Sequence, residues 1–535
     1  MSFLAFRRRL SQGDEFLVQT VLGLAIGLGV AVVVMAFHGL IDLVGAGSQF
    51  DQWPMWQRFA APVAGAAVCY WLLNRYRDRA QLGVSHVIDT LHRAPRHWPV
   101  TNATLQFFLT PMLLASGQSG GREGPAIHLG ATFGAWVTER FHLPRNNLRV
   151  FVGAGVAAAI SSTFGTPLAG VAFAMEVVVM EYTVAGFLPI IAAAVAASWL
   201  VGTLAGAPLV SLPDLSAMSS PGFIWIVLLG VGSGLLSASF NTLVRQTTRR
   251  RPPYGMLWAG VVCGLVGMWV PDVMGDGFFV LGDLLSNAST WEALALLLVC
   301  KLLVTALCLG LGLPIGFIGP LLLIGAAWGS LVSLAAGGFN PLVALIGMTA
   351  VMGGSLVAPL AAVLAVIELS QQPDLILPAM TAVAIAILLH RLLQQDGLFV
   401  DQLADAGRPL ALHRSNHPMH HLGVDAAIRQ SVVQISRRFD GLPKPAEVVV
   451  WSSGRRQVCA MEWLDFVKAS ADLPPGADLA AELSGLPLRR MHSDATLAEV
   501  WANTRACNAH GAYFRHPNGR LAGIIWRSQL EDQFQ

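Results

Sequence analysis

From about residue 15 to residue 400 the chain is a succession of apolar stretches divided by short polar segments, and this feature constrains the fold more than any other. Six long runs lie at 16–45, 187–204, 223–240, 254–270, 291–313 and 375–393, close to the ~20 residues that cross a bilayer as a helix. Other runs, at 105–116, 126–137, 151–160, 168–180, 321–334 and 342–369, are short or cut by Gly or Pro. Only 12% of the 535 residues are charged, against about 25% in soluble domains. The composition is that of a polytopic membrane protein. Irregular backbone inside a bilayer persists only where protein or a water-filled cavity satisfies it, so the broken runs predict a solvated pathway.

The chain also repeats itself. "GPAIHLGATFG" (124–134) matches "GPLLLIGAAWG" (319–329), and "TPLAGVAFAMEV" (166–177) matches "APLAAVLAVIEL" (358–369), at offsets of 195 and 192 residues. Near-equal offsets argue for duplicated halves, about 15–210 and 220–405, each with a Gly-Pro helix start and a later helix carrying one glutamate. Repeats of this kind in transporters are commonly inverted, with the substrate held at broken helices near the midplane.

Proline in a first turn presets φ and gives up an N–H that the helix does not need there. Each Gly-Pro motif therefore starts a helix inside the protein, leaving free backbone N–H groups and the positive end of the dipole. Such ends bind anions, and two of them bind an ion without a full opposing charge, so that it can also leave. "SGGREGP" (119–125) adds Arg122 and Glu123 at the first of these starts. A carboxylate there occupies the place an anion would take, and protonation would vacate it.

These residues resemble a family. "GREGP" at 121–125, "GFIGP" at 316–320 and the two Pro-Leu-Ala helices, each with its glutamate, are similar to the CLC chloride channels and chloride/proton antiporters, over roughly residues 15–405. The resemblance implies an all-α polytopic membrane domain with two inverted repeats and broken, tilted helices, a homodimer with one pore per subunit, and a bound chloride. Glu123 matches the gating glutamate that swings through the anion path and carries the proton in antiporters; the plainer reading is a carboxylate capping a helix start. Gly124, Phe317 and Ile318 match the loops whose N–H groups meet the anion, although the Phe317 side chain reads equally well as core packing. Arg122 either raises the positive potential at the mouth or forms a structural salt bridge.

Other positions depart from the family pattern. "QLGVS" (81–85) aligns with the motif that offers a serine hydroxyl, and Leu82 stands in its place. Phe399 stands where the resemblance expects a tyrosine. Fewer hydroxyls leave desolvation of the ion to be offset mainly by backbone N–H groups. The inner proton acid of the antiporters follows the first-repeat glutamate, and here Glu176 is followed by Val177. Val177 points to channel-like or uncoupled permeation, the alternatives being a fluoride-selective exchanger or a chloride/proton exchanger with another proton route. Glu181 is the nearest substitute acid. Glu176 and Glu368, recurring in both halves, read as structural carboxylates, because a charge within a span requires partners.

After about residue 405 the chain turns polar: a linker at 406–420, then a small soluble α/β domain at 421–535. Residues 446–468 and 511–532 both read as strand, turn, strand, helix and resemble a degenerate pair of CBS modules. The second copy has Trp526, Arg527, Ser528 and Gln529 where a ribose-binding carboxylate would stand. Nucleotide binding is therefore not expected, and no other cofactor is. His413, His417, His420 and His421 lie in the linker without Cys or paired carboxylates at ligand spacing, so no metal site is expected.

An intramembrane enzyme would need a nucleophile and base or H-E-x-x-H within the spans, and the sequence contains none, so an enzyme is not expected. A membrane sensor with a vestigial pore is the third class, which measurable anion flux would exclude. The six cysteines form no C-x-x-C pair, and a net charge of +2 gives no reason to expect nucleic acid. Basic clusters at 7–9, 75–79, 249–251 and 390–391 mark candidate cytoplasmic loops. The N-terminal apolar run reads as a retained first helix rather than a cleaved leader. The expected location is a bacterial inner membrane with both termini in the cytoplasm.

Overall fold

The computed structural model describes residues 15–45, 50–76, 82–93, 98–141, 146–180, 184–205, 222–287, 289–394, 396–408, 431–452, 458–491, 497–515 and 521–534. Contacts divide the chain into two units, Met1–Leu410 and Ala411–Gln535. Glu181, the four linker histidines and Arg7–Arg9 lie outside the described residues.

The first unit is helical. Its first half holds α1 (Glu15–Gly45), α2 (Met55–Arg75), α3 (Val84–Arg93), α4 (Val100–Ala115), α5 (Glu123–Arg140), α6 (Asn146–Phe164), α7 (Pro167–Phe173) and α8 (Val184–Leu204), with a π-helical turn, Ala174–Val179, extending α7. The second holds α9 (Phe223–Arg249), α10 (Gly255–Trp269), α11 (Phe278–Ser286), α12 (Trp291–Gly310), α13 (Ile318–Ala335), α14 (Pro341–Leu356), α15 (Pro359–Ser370), α16 (Ile376–Leu393) and α17 (Leu398–Asp405). Among the described residues, seven helices are long and apolar enough to cross a membrane. The run at 254–270 was expected among the long spans, yet α10 has only 15 residues. Pro271 follows it, and a proline disfavours helical geometry in the residue before it.

The two halves share one packing scheme. In the first, α5 packs on α6, α6 on α8 and α8 on α1; in the second, α13 packs on α14, α14 on α16 and α16 on α9. Glycines set the closest approaches. A Cβ on Gly130 would overlap the Gly155 carbonyl oxygen, and one on Gly325 would overlap that of Gly347. Small residues let helix backbones meet in a membrane, where no hydrophobic driving force separates protein from lipid tails.

The halves also meet each other. Glu368, on the last turn of α15, accepts from the Leu168 and Ala169 N–H groups at 2.8 Å each, at the start of α7. Glu176 accepts from Leu360 N–H at 3.0 Å and Ala361 N–H at 2.9 Å, at the start of α15. Each carboxylate thus caps the other half's helix. The start of one helix lies at the end of its counterpart, so the equivalent helices run antiparallel, as inverted halves require. The reading of both glutamates as acceptors of structural donors matches this geometry.

In the second unit, six strands lie in the order β1 (Val432–Gln434), β2 (Val448–Ser452), β3 (Val458–Glu462), β4 (Leu486–Arg490), β5 (Gly511–Arg515), β6 (Leu521–Trp526). Each copy has one parallel pair, then one antiparallel pair: β1 with β2 and β2 with β3, then β4 with β5 and β5 with β6. Helices Trp463–Ala469 and Arg527–Phe534 follow β3 and β6, giving the duplicated strand-strand-helix pattern of a small CBS-like α/β domain. Gln529 Oε1 accepts from the Trp526 N–H at 3.1 Å, so this side chain caps its own helix.

Gly130→Ala tests the α5–α6 contact. Overpacking costs about 1–3 kcal/mol, so the variant is expected to melt several degrees lower in detergent by scanning fluorimetry. Gly39→Ala, where a Cβ would meet nothing within 4 Å, is expected to melt no lower than wild type.

Candidate anion pathway

The segment entering α5 is held from several sides. Gly121 and Gly316 form an antiparallel bridge, with N···O distances of 2.6 and 2.8 Å, which ties the loop of the first repeat to that of the second. Gly120 N–H donates to Gly275 O, and Gly275 N–H to Gly117 O, each at 3.3 Å. Lys301, fully buried, donates from Nζ to Val273 O at 2.8 Å and Gly275 O at 3.0 Å. Ser119 and Thr305 hydroxyls lie 2.8 Å apart. The loop before α5 is therefore fixed by hydrogen bonds rather than by side-chain bulk.

Three helix starts converge here: α5 at Glu123, α13 at Ile318 and α3 at Val84. A Cβ on Gly124 would lie 3.2 Å from Gly316 Cα and 3.8 Å from Val84 Cγ2, so a side chain there would press on the Gly316 loop. Glu123 is 1% exposed, and its Oε2 accepts from the Gly319 N–H of α13 at 3.0 Å, while Oε1 has no partner. The carboxylate of the first repeat is thus seated on the helix start of the second. This is anion recognition by first-turn N–H groups, with the protein's own side chain as the anion.

The other expected residues fall around it unevenly. Phe317 and Phe399 are brought together, ring centroids 4.8 Å apart, and Phe240 lies 6.0 Å from Phe317. Ile318 is buried at the start of α13. Leu82 is half-buried and packs against the apolar cluster that contains Leu109 and Leu313. Val177 is buried in the π-helical turn, one residue from Glu176.

Arg122 is engaged by a carboxylate. Its Nε donates to Asp276 Oδ2 at 2.7 Å, a second nitrogen contacts the same oxygen, Asp42 lies 3.9 Å away, and the guanidinium stands 5.5 Å from the Phe278 ring centre. Arg122 thus forms an ion pair with Asp276. Arg122, Asp42, Asp276 and Phe278 line a cavity of about 290 Å³ at the entry to α5. The sequence signal for Asp276 was present in "GDG" (275–277), a charge framed by glycines between apolar runs, like Arg122 and Glu123 themselves.

At the other end, α17, which carries Phe399, is anchored by ion pairs. Asp401 and Asp405 each lie 3.1 Å from Arg245, Asp405 lies 2.6 Å from Arg249, and Gln402 accepts from Ser85 at 2.6 Å. Buried carboxylates in such a setting require these partners.

A fold built from two inverted halves, with helix starts of both gathered around a carboxylate, is that of an anion transporter. The family model for voltage gated chloride channels matches residues 65–391, and the chain belongs to that family. The H(+)/Cl(-) exchange transporter ClcA of Vibrio cholerae serotype O1 is 27% identical over 365 residues, 64% of this chain and 78% of that protein. A CLC-type fluoride/proton antiporter structure matches with a TM-score of 0.62 at 22% identity, covering 73% of this chain and 99% of that one. A eukaryotic CLC transporter structure matches with a TM-score of 0.63 at 19% identity, covering 96% and 98%. These two likenesses concern the fold.

Glu368→Ala removes the acceptor of two helix-start N–H groups. Loss of a capping acceptor costs about 0.5–2 kcal/mol, so thermal unfolding in detergent is expected several degrees below wild type. Glu176→Ala is expected to lower it by a similar amount, because the two contacts are equivalent.

Proposed function

We propose that this chain carries chloride across a bacterial inner membrane, as a homodimer with cytoplasmic termini, along a path gated by Glu123. The observation that carries this reading is the Glu123 carboxylate bound by the Gly319 N–H. An anion arriving at the first turn of α13 competes with that carboxylate for the same donors. Protonation removes the charge that holds the side chain there, and the site opens. Backbone groups of Gly124, Phe317 and Ile318 would meet the ion, with Phe399 and Leu82 offering it no hydroxyl. Arg122, neutralised by Asp276, shapes the mouth and contributes little free positive charge. The intact Gly-Arg-Glu-Gly-Pro and the likeness to a protein named as an H(+)/Cl(-) exchanger support chloride over fluoride.

Val177 removes the inner acid, and on that ground alone permeation would be uncoupled from protons. A second reading, exchange for protons by another route, is favoured by a buried histidine on α5, the helix that Glu123 begins. His128 is fully buried with both ring nitrogens unpartnered, and we adopt that second reading.

Chloride efflux and proton movement from proteoliposomes test both parts. Wild type is expected to release chloride, and Glu123→Gln is expected to keep chloride efflux while losing proton movement at least about tenfold, the measure of a missing ~1.4 kcal/mol or more at the transfer step. Chloride efflux no faster than from protein-free vesicles would overturn the transport reading. Proton movement that survives in Glu123→Gln would remove Glu123 from its role.

A further inference from the structure

His128 lies on α5, five residues beyond Glu123. It is fully buried, and neither ring nitrogen has a hydrogen-bond partner. Packing does not require an imidazole at this place, because the repeat supplies a control. The equivalent position in the second half is Leu323, also fully buried. A leucine fills the site without the cost of burying two unpaired polar atoms.

The His128 ring meets that of His86, edge to face, with centroids 5.6 Å apart. His86 sits on α3, the short helix whose first residue, Val84, borders Gly124. Its Nδ1 lies 3.3 Å from Thr90 Oγ1, and its Nε2 lies 3.1 Å from Asn102 Nδ2. His86 is only half-buried, unlike His128. The helix α3 packs against both α5 and the π-helical turn that holds Val177. The helix that carries His86 thus borders the turn holding Val177, where the resemblance expects the inner acid, and His86 in turn meets His128. The charged groups nearby are already engaged: Asp89 is paired with Arg408 at 3.0 Å, and Glu176 caps α15.

We propose that His86 and His128 form the proton-transfer site that connects Glu123 to solution, in place of the acid missing at Val177. This rests on the reading of the chain as a proton-coupled transporter. The half-buried His86 ring exchanges its Thr90 or Asn102 contact for water, takes a proton there and releases one from the other nitrogen. Because no hydrogen bond joins the two rings, a water carries it on to His128. His128 repeats that exchange and delivers the proton to the Glu123 carboxylate, which becomes neutral and leaves the Gly319 N–H. Five residues of helix separate Glu123 from His128 by ~7.5 Å along the axis, so water in the anion path completes the last step. No bond other than those to the moving proton changes, and both imidazoles end neutral. An imidazole is suited to such a shuttle because its two nitrogens can accept and release in turn near neutral pH.

The test is chloride and proton flux from proteoliposomes of the full chain, comparing wild type, His128→Leu and His86→Gln. His128→Leu installs the residue of the sister repeat, and His86→Gln keeps hydrogen bonding without a titrating ring. Both are expected to lower proton movement at least about tenfold while chloride efflux falls markedly less, because an arriving anion still competes with the Glu123 carboxylate for the start of α13. Equal loss of both fluxes in both variants would mean a structural role only and would overturn the proposal. So would wild-type coupling in either variant that retains chloride efflux. Wild-type chloride efflux without any proton movement would also overturn it, leaving chloride transport standing. Absence of wild-type chloride efflux would overturn the transport reading first, and the relay with it.

Discussion

A helix that begins inside a membrane protein exposes peptide N–H groups that neither lipid nor its own turns can satisfy. Here, helices start in the interior at Glu123, Pro167, Ile318 and Pro359, and glutamates answer three of those starts. Glu123 bonds the start of α13, Glu368 that of α7 and Glu176 that of α15. Each bond crosses from one half to the other. The same chemistry serves two purposes, distinguished by permanence. Glu176 and Glu368 make two bonds each to the opposing helix, whereas Glu123 makes one and leaves Oε1 unpartnered. Glu123 is thus the most weakly held of the three acceptors.

Backbone contact elsewhere keeps those starts in register. The Gly121–Gly316 bridge joins the two loops directly, and the glycine contacts at Gly130 with Gly155 and Gly325 with Gly347 fix the helices behind them. Van der Waals packing of small residues supplies the association that the hydrophobic effect supplies in water. Polar side chains then complete the frame: Lys301 and Arg122 satisfy the loop around residues 273–276, and Arg245 with Arg249 hold the end of α17. An apolar core alone would leave these carbonyls and carboxylates unpaired.

The halves are alike in frame and unlike in chemistry. Gly124, Pro125 and Gly130 recur as Gly319, Pro320 and Gly325, but Glu123 is replaced by Ile318, and His128 by Leu323. Of these two groups on α5, Glu123 receives a backbone donor from the second half, at Gly319, whereas His128 receives none. Such a division suits a path in which one side carries the charge and the other receives it.

Much of this was legible without coordinates. Apolar run length gave the membrane class, and the near-equal offsets gave the duplication. The Gly-Pro spacing marked the helix starts, and "GREGP" picked out Glu123; each is a local property of the chain, set by sterics and hydropathy. The strand-strand-helix copies after residue 445 were legible for the same reason. Asp276 as the partner of Arg122, the reciprocal capping by Glu176 and Glu368, the tilted contact of Phe317 with Phe399, and the meeting of His86 with His128 depend on residues 42 to 200 positions apart. A sequence states which groups need partners. Only the tertiary structure decides which partner each receives, because that choice is made by the crossing of helices whose contact positions are glycines and carry no side-chain signature.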